Sequence, residues 1–464
     1  MRAPLALVLV PLLAGCPDRT IAGVPVEQGT VDVKDIPAVP RRDVDILFLI
    51  DDSLSMKEEQ ASLKANFGRF ISVLESIEGG MPNVHIGVAT PNMGTSATDG
   101  TKGPSIGTCV GSGEGGKLRR LPGVGAAFLS DRDDGAGGRV RNYTGTLTEA
   151  FAQIAEVGNN GCGIEQHFEA MKRVLDNNPE NIGFLRRDAY LAVIIVADED
   201  DCSLAKSTLF DGNANDPTYG DRTNFKCTRE GIECDSPNTD LDQIGQRRDC
   251  HPNYNSTTLT SIDRYVDFLK GLKPDPRDVL VAGIVGDPGP FEVVKKGNVS
   301  VLKQSCMYNG PTDVQYAYPG IRMLDFLAQF PNRTTHTTIC NEDLSAGMTQ
   351  IAALLKGAFQ DPCFERQLLD ADPQTDGPQY ACTVTETRYR PNMPNEELGV
   401  IPACDATKSR IPCWHVVEDN VHCSYTKTNP HLKLVVERGG QVPAPDIHVR
   451  AECVTAPSTS GPQI

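Results

Sequence analysis

Residues 46–55 read ILFLIDDSLS, and this short stretch says most about the fold. Its first half is an unbroken apolar run of strand length. Such a run is typical of a strand buried on both faces of a parallel sheet, because helices cover both sides of that kind of sheet. Its second half turns at once to polar residues. Asp51, Ser53 and Ser55 occupy alternate positions there, which predicts three side-chain oxygens on one side of the turn that leaves the strand.

The rest of the chain up to about residue 360 alternates between apolar runs of strand length and segments with helical periodicity. Further strands are predicted at 84–89, 191–196, 279–285 and 335–340. Helices are predicted at 63–74, 147–154, 164–175, 257–271, 320–330 and 344–359. The Gly-rich segment 93–140 and the Asp- and Cys-rich segment 203–255 lack periodicity and are predicted to be insertions. This order predicts an α/β fold, a doubly wound, mostly parallel sheet flanked by helices.

The charge of the chain bears on its partners. Among 464 residues, 44 are Lys or Arg and 61 are Asp or Glu, which gives a formal net charge of −17. Binding to nucleic acid requires basic surface, so the balance argues against that class of partner. An acidic surface suits cations or a basic protein surface better.

The N-terminus predicts export. Arg2 is followed by an apolar run over residues 3–13, which is typical of a signal peptide and too short to span a bilayer. The sequence Leu-Ala-Gly-Cys at 13–16 resembles a bacterial lipobox, in which Cys16 is lipidated and begins the mature chain. The prediction is a signal peptide at 1–15 and an exported protein that is lipid-anchored in the bacterial cell envelope. The outer membrane is the expected location, and the orientation of the protein is left open.

The cysteines agree with export. The chain has 15 Cys, and removing Cys16 leaves 14, an even number that suits seven disulfides in an oxidising compartment. No two cysteines stand at CxxC spacing, and the eight His do not cluster with Cys, so a zinc site is not expected.

A second carboxylate follows another buried strand. The apolar run 191–196 ends in Ala197-Asp198, and the carboxyl ends of parallel strands meet at one edge of a sheet. Asp198 is therefore expected beside Asp51. Carboxylates and hydroxyls are the oxygen ligands that hard cations such as Mg²⁺ prefer.

The motif Asp51-x-Ser53-x-Ser55 with Asp198 resembles the von Willebrand factor A (VWA) domain and its metal-ion-dependent adhesion site (MIDAS), and the resemblance covers about residues 43–360. It implies a Mg²⁺ ion, or Mn²⁺ or Ca²⁺ in its place, with Ser53 and Ser55 as direct ligands. Asp51 and Asp198 would support the ion partly through water. An acidic side chain from a partner protein would complete the shell.

The sequence departs from the family at one ligand. The family supplies a threonine from the loop before the third helix, and Cys162 stands about there. A cysteine in a disulfide is a poor ligand for Mg²⁺. Parity does not reveal disulfide partners. We predict Cys109 with Cys162, which would tie two loops of the metal edge together, and Cys202 with Cys250, which would close the second insertion.

The predicted organisation is a lipidated tether at 16–42, the VWA-like domain at 43–360 and a small Cys-rich β-type module at 361–464. The predicted function is non-catalytic, metal-dependent binding of a protein or surface ligand, as in cell adhesion. A second hypothesis is a structural envelope protein whose metal site is degenerate, which the Cys162 departure favours. A third, an envelope hydrolase, lacks a recognisable nucleophile–base pair in the sequence.

Overall fold

The computed structural model describes residues 30–456, apart from 39–41, 78–79, 211–218, 237–239, 242, 298, 312, 360–361, 375–376, 391–392, 421–422, 424–425, 427 and 445. The predicted signal peptide, Cys16 and most of the predicted tether lie outside the described residues. Within that part of the chain, no helix combines the length and the apolar character that crossing a bilayer requires.

The strands, in chain order, are β1 (Val31–Pro37), β2 (Asp43–Ile50), β3 (Asn83–Ala89), β4 (Leu129–Asp133), β5 (Arg139–Arg141), β6 (Tyr190–Val196), β7 (Ile232–Ser236), β8 (Gly245–Pro252), β9 (Val279–Val285), β10 (Phe291–Lys296), β11 (Val299–Leu302), β12 (Cys306–Asn309), β13 (Val314–Ala317), β14 (Thr334–Thr338), β15 (Cys382–Arg388), β16 (Glu396–Ile401), β17 (Cys413–Glu418), β18 (Leu432–Glu437) and β19 (Ile447–Val454). The α-helices are α1 (Lys57–Glu75), α2 (Leu147–Ile154), α3 (His167–Leu175), α4 (Tyr219–Gly231), α5 (Asp263–Gly271), α6 (Ile321–Ala328) and α7 (Ser345–Ala358).

A seven-stranded sheet forms the centre of the fold, in the order β14-β9-β6-β2-β3-β4-β5. The first five strands in that order are parallel, and β4 and β5 are antiparallel additions at one edge. The chain is therefore a mixed α/β protein with a mostly parallel sheet. The strands expected at 84–89, 191–196, 279–285 and 335–340 are confirmed as β3, β6, β9 and β14.

Strand β2 shows why its sequence is apolar from Ile46 to Ile50. Phe48 and its alternate neighbours pack with Phe67 of α1 and Phe151 of α2, in a core that also takes in α7. Leu47 and Leu49 face the other way, into a second core built on α3, α5 and α6. Both faces of the strand are buried, so a charged residue within it needs a partner, and the carboxylate of Asp45 near the start of the strand pairs with Arg186.

The two predicted insertions contain more regular structure than their sequences indicated. Segment 93–140 was expected to be an irregular loop, but its end forms β4 and β5 of the central sheet. Segment 203–255 contains α4, β7 and β8, and β7–β8 joins β10–β11 in a separate four-stranded sheet. These strands are partly exposed and rich in polar residues, so they lack the continuous apolar signal of a central strand.

Fourteen cysteines in the described residues form seven disulfides, as parity predicted, and this is consistent with export into an oxidising compartment. The pairs are Cys109–Cys162, Cys202–Cys227, Cys234–Cys250, Cys306–Cys340, Cys363–Cys423, Cys382–Cys453 and Cys404–Cys413. The first predicted pair is confirmed and the predicted Cys202–Cys250 bond is wrong. Antiparallel pairing of β7 with β8 sets Cys234 directly opposite Cys250, and Cys202 instead meets Cys227 of α4.

The C-terminal module is built from strands, as expected, but it recruits the segment before the central domain. Its sheet has the order β1-β19-β15-β16, with β1 antiparallel to the last strand. Residues 31–37 were predicted to be part of a tether, and this is a correction. Their ladder partner lies more than 400 residues away in sequence, so no local pattern could reveal the pairing.

A partly buried ionic cluster joins this module to the central domain. Arg277, just before β9, forms an ion pair with Asp35 of β1, and its guanidinium lies 3.4 Å from the ring centroid of Tyr389. His448 Nδ1 of β19 lies 3.1 Å from Asp35 Oδ1. Burial alone would raise the pKa of Asp35, but the hydrogen bond from His448 and the charge of Arg277 outweigh it, so the pKa lies below its ordinary value.

This cluster predicts a pH-dependent contribution to stability. Because the folded-state pKa of Asp35 lies below the unfolded value of 3.8, the stabilisation is present above that value and is lost as the pH falls through the folded pKa. Asp35→Asn is expected to lower the free energy of unfolding by about 2 kcal/mol near neutral pH. The difference from wild type should shrink as the pH approaches 3. Chemical denaturation at several pH values measures it, and a constant difference would contradict the assignment.

Candidate metal centre

The site lies where the strand order of the central sheet changes direction. From β2 the chain first forms β3 on one side and later β6 on the other, and such a switch point is where α/β sheets bind ligands. Ile50 of β2 lies opposite Val196 of β6, and the N–H of Asp51 donates to the carbonyl of Val196 at 3.0 Å. Asp51 and Asp198 therefore emerge from neighbouring strands at the same edge, as the sequence predicted.

The turn after β2 gathers its polar groups. Asp51 is fully buried, and its Oδ1 accepts a hydrogen bond of 2.7 Å from the N–H of Ser53. The hydroxyl oxygens of Ser53 and Ser55 lie 3.1 Å apart. Ser53 precedes a short 3₁₀ turn at Leu54–Met56, yet its side chain makes no capping hydrogen bond there. The two serines line a cleft, and Asp51 lies buried behind them.

Asp198 completes this group from β6. Its side chain is buried and interacts with the Ser55 hydroxyl and the Asp51 carboxyl, and the N–H of Tyr318 donates to its backbone carbonyl at 2.8 Å. Burial raises the pKa of Asp198 to about 6, although the Ser55 hydrogen bond lowers it. Burial also raises the pKa of Asp51 well above its usual range, and the charges of Asp198 and Glu199 raise it further. All four predicted residues are therefore brought together.

Further buried carboxylates surround the predicted four, and sequence reasoning assigned none of them. Glu165 follows the loop of Cys162, Asp52 neighbours Asp51, and Glu59 lies on α1. Burial, then the nearby charges of Glu199 and Asp51, raises the pKa of Glu165 well above its usual range. Burial raises the pKa of both Asp52 and Glu59 to about 7. The sequence offered little signal for them, since Glu59 stands in the polar run 57–60 and Asp52 directly follows another aspartate.

The residues present fit a hard divalent cation. Among the described residues, Asp51 Oδ2 and Asp198 Oδ1 are buried side-chain oxygens without a hydrogen-bond partner. A buried carboxylate that lacks a partner is costly unless it is paired or binds a metal. Oxygen ligands without His or thiolate suit Mg²⁺, Mn²⁺ or Ca²⁺ rather than zinc. In the described part of the chain, no three His, Cys, Asp or Glu side chains are grouped as a metal site. The predicted set contains two carboxylates and two hydroxyls.

Cys162 supplies no ligand. Its sulfur is bonded to that of Cys109 and is buried. The same loop packs tightly on the turn after β2, because the N–H of Gly161 donates to the carbonyl of Asp52 at 2.8 Å. A Cβ atom on Gly161 would lie 2.1 Å from Asp52 Oδ1, so only glycine fits there.

The four acidic residues that follow β6, at 198–201, have two different roles. Asp198 and Glu199 contribute to the site and its cleft, whereas the next two carboxylates are structural. Asp200 accepts hydrogen bonds from the first N–H groups of α6, and Asp201 forms a buried ion pair of 3.1 Å with Arg322. Asp201 also accepts from the N–H of Phe168 at the start of α3. This network holds the loop that carries Asp198.

The site opens into a cleft of about 580 Å³. Ser53, Ser55, Glu165 and Glu199 line it. Its walls also carry apolar side chains from the turn after β2, from both insertions and from the β12–β13 hairpin: Leu54, Ile106, Phe210, Val314 and Tyr316. Leu54, between the two serines, is 78% exposed. A ligand that reaches the carboxylates therefore passes apolar surface.

No protein-family model matches the chain, and no curated protein matches it. Among solved structures, the chain is similar to proximal thread matrix protein 1 from the mussel byssus, with 13% identity over 72% of this chain and 51% of that one and a TM-score of 0.28. It is also similar to the pilus adhesin RrgA from Streptococcus pneumoniae, with 11% identity over 91% of this chain and 57% of that one and a TM-score of 0.27. The chain spans about half the length of these proteins, and at such TM-scores the matches carry no argument about function.

Proposed function

We propose that this protein binds a divalent cation at Asp51, Ser53, Ser55 and Asp198 and uses the cation to bind an acidic side chain of another protein or surface ligand. The observation that carries the proposal is the pair of buried oxygens without a hydrogen-bond partner among the described residues, Asp51 Oδ2 and Asp198 Oδ1, next to two serines that line an open cleft. This arrangement agrees with the resemblance of the motif to the MIDAS of VWA domains. The proposed role is adhesion or interaction, without chemical turnover.

The serines and the aspartates of the proposed site would have different roles in binding the cation. Ser53 and Ser55 would contact the ion directly, and Asp51 and Asp198 would balance its charge. The cation would supply a positive charge with room for an outside oxygen ligand. The rigid turn after β2, held by the Ser53 N–H to Asp51 Oδ1 hydrogen bond, keeps the hydroxyls in position without the ion. Such preorganisation reduces the entropy lost on binding.

The cleft indicates what flanks the acidic group of the ligand. Leu54, Val314 and Tyr316 are exposed hydrophobic residues at the cleft, and exposed apolar side chains around a polar centre are typical of interaction surfaces. An acidic residue next to apolar residues would satisfy both the cation and these walls. Loops on a rigid scaffold commonly carry recognition, and both insertions border this edge.

The test uses the oxidised protein with the metals alone and then with a probe. Isothermal titration with Mg²⁺, Mn²⁺ and Ca²⁺ should show saturable binding. Short peptides that carry one Asp between apolar residues should then bind in Mg²⁺, whereas matched peptides with Asn should not. Peptide binding that persists unchanged in EDTA would rule out the mechanism.

A structural role with a degenerate metal site is the second candidate, and one observation favours it. Cys162 stands at the expected threonine position and forms a disulfide with Cys109. The described residues contain seven disulfides in all. If the folded protein shows no saturable cation binding, the structural role becomes the preferred function. In either case we propose an exported protein anchored in the bacterial envelope through Cys16.

A further inference from the structure

One wall of the cleft is a hairpin that presents apolar side chains to solvent. Strands β12 and β13 form a two-stranded sheet that no other strand of the described residues joins. Met307 lies opposite Tyr316, and both point outward together with Val314. Met307 is 63% exposed and Val314 is 46% exposed. We call Met307, Val314 and Tyr316 the hairpin face.

The hairpin is held in place through its other face. Gln315 is buried there, and the hydroxyl of Tyr308 donates to Glu59 of α1 at 3.3 Å. The Cys306–Cys340 disulfide fixes the start of β12 to the segment after β14. A two-stranded hairpin is marginally stable alone in water, so these contacts keep it folded. The hairpin face is not needed for them and stays exposed.

The hairpin face continues into the cleft. Val314 and Tyr316 line the cleft, and so does the exposed side chain of Leu54. Single exposed apolar residues are ordinary, whereas a group of them beside a concave surface is typical of an interaction site. The volume of about 580 Å³ lies within the range of roughly 300–1,000 Å³ found for ligand pockets. The cleft therefore has room for a short segment of a partner.

The charges along the cleft indicate what kind of segment fits. Lys57 is the one Lys or Arg that lines the cleft among the described residues. Glu58, Glu199 and Asp313 line it as well, in addition to Glu165. The whole chain carries a formal net charge of −17. Complementary charge favours the encounter of two partners and selects among them, so a cationic ligand suits this cleft.

We propose that the cleft docks a short segment of another protein that combines apolar side chains with Lys or Arg. The apolar side chains would pack on Leu54 and the hairpin face, and the cationic groups would face Glu58 and Asp313. This inference goes beyond the proposed function and does not depend on it, because no divalent cation takes part.

The test measures peptide binding by the oxidised protein in EDTA, which removes any contribution from divalent cations. The probe is a blocked, labelled heptapeptide of alternating Leu and Lys. Two matched heptapeptides replace either Lys by Glu or Leu by Ser. Fluorescence anisotropy should show saturable binding of the Leu–Lys peptide and at least about 10-fold weaker binding of the other two. Binding of the Leu–Lys peptide should also weaken as the salt concentration rises.

Two variants place the binding at the cleft, and each has a matched control. Val314→Ser should weaken binding of the Leu–Lys peptide by at least about 5-fold. Val140→Ser makes the same change at a valine of β5 that is 51% exposed, and it should stay within about 2-fold of wild type. Asp313→Lys should weaken binding by at least about 10-fold, because it reverses a charge at the cleft. Its control is Asp133→Lys, since both aspartates are exposed and accept a backbone N–H.

Several outcomes would overturn the inference. Equal affinity for the Leu–Lys and Leu–Glu peptides would do so, as would equal losses in each variant and its control. If sedimentation showed a dimer of the protein alone that Val314→Ser dissociates, the occupant would be a second copy instead. No binding of the Leu–Lys peptide in EDTA would also reject the inference. That result would leave the proposed function to the separate titration with Mg²⁺, Mn²⁺ and Ca²⁺.

Discussion

Asp51→Asn is expected to abolish the stabilisation that divalent cations give this protein without making the cation-free protein less stable. Wild type should melt at a higher temperature in Mg²⁺ or Mn²⁺ than in EDTA, because a ligand that binds only the folded state stabilises it. In the variant the two melting temperatures should coincide. Loss of cation binding is the largest single effect that the structure predicts for one substitution.

The unchanged stability follows from the surroundings of Asp51. The asparagine Oδ1 can still accept the N–H of Ser53, which is the hydrogen bond that shapes the turn. The charge that is removed is surrounded by like charges from Asp198 and Glu199, and burial itself disfavours it. Removing it therefore relieves repulsion in the absence of metal. The variant should unfold in EDTA at the same denaturant concentration as wild type or at a higher one.

Asp45→Asn is the matched control for this result. Asp45 lies on β2, the strand that leads to Asp51, and is equally buried, but its carboxylate faces cationic side chains. It pairs with Arg186 at 2.7 Å and lies 3.7 Å from the buried Nζ of Lys273. Removing one partner of a buried ion pair costs about 3 to 5 kcal/mol. This variant should be much less stable and should keep its cation response. If Asp51→Asn behaved like Asp45→Asn, Asp51 would be a structural residue.

Removal of the Cys109–Cys162 disulfide is expected to produce the second large effect. The bond closes a loop of 53 residues, and the chain-entropy relation gives about 4 kcal/mol of stabilisation for a loop of that length. It also positions the loop that packs on Asp52 and carries Glu165. Changing both cysteines to serine should therefore lower the free energy of unfolding by about 4 kcal/mol and weaken cation binding in the protein that remains folded.

The control for the disulfide is Cys404–Cys413, which lies in the C-terminal module. Its sequence separation is 9 residues, so the same relation gives a smaller loss of about 2.5 kcal/mol. Because this bond is far in sequence from every predicted ligand, replacing both cysteines should leave the affinity for Mn²⁺ unchanged. Denaturation and calorimetry of the two double variants measure both quantities. Equal effects on cation affinity would show that the Cys109–Cys162 bond has no special relation to the site.

Prediction from sequence succeeded where the signal was local. The unbroken apolar runs of β2 and β6 could be recognised because both faces of those strands are buried, and each run ends in polar residues. Placing Asp51 beside Asp198 required only the rule that parallel strands share a carboxyl edge. The pairing of Cys109 with Cys162 followed from the expectation that both loops border that edge, and the structure confirms it.

Prediction failed where two distant segments had to meet. Strand β1 was taken for part of a tether, because its sequence gives no sign of a partner near the C-terminus. The Cys202–Cys250 pairing missed the antiparallel register that sets Cys234 opposite Cys250. The hairpin β12–β13 carries Val314 and Tyr316 to the cleft, and its short, partly exposed strands lack a clear pattern.

The amino-acid sequence by itself determined the α/β core and the edge of the sheet at which Asp51, Ser53, Ser55 and Asp198, the residues of the proposed site, come together. Each depends on hydrophobic patterning within one strand and on the residues directly after it. Only the tertiary structure decided that Glu165 enters the same cleft, that buried carboxylates crowd the site and that β1 completes the C-terminal sheet. Those features depend on which loops and strands lie against one another, and that is fixed by the packing of the whole chain.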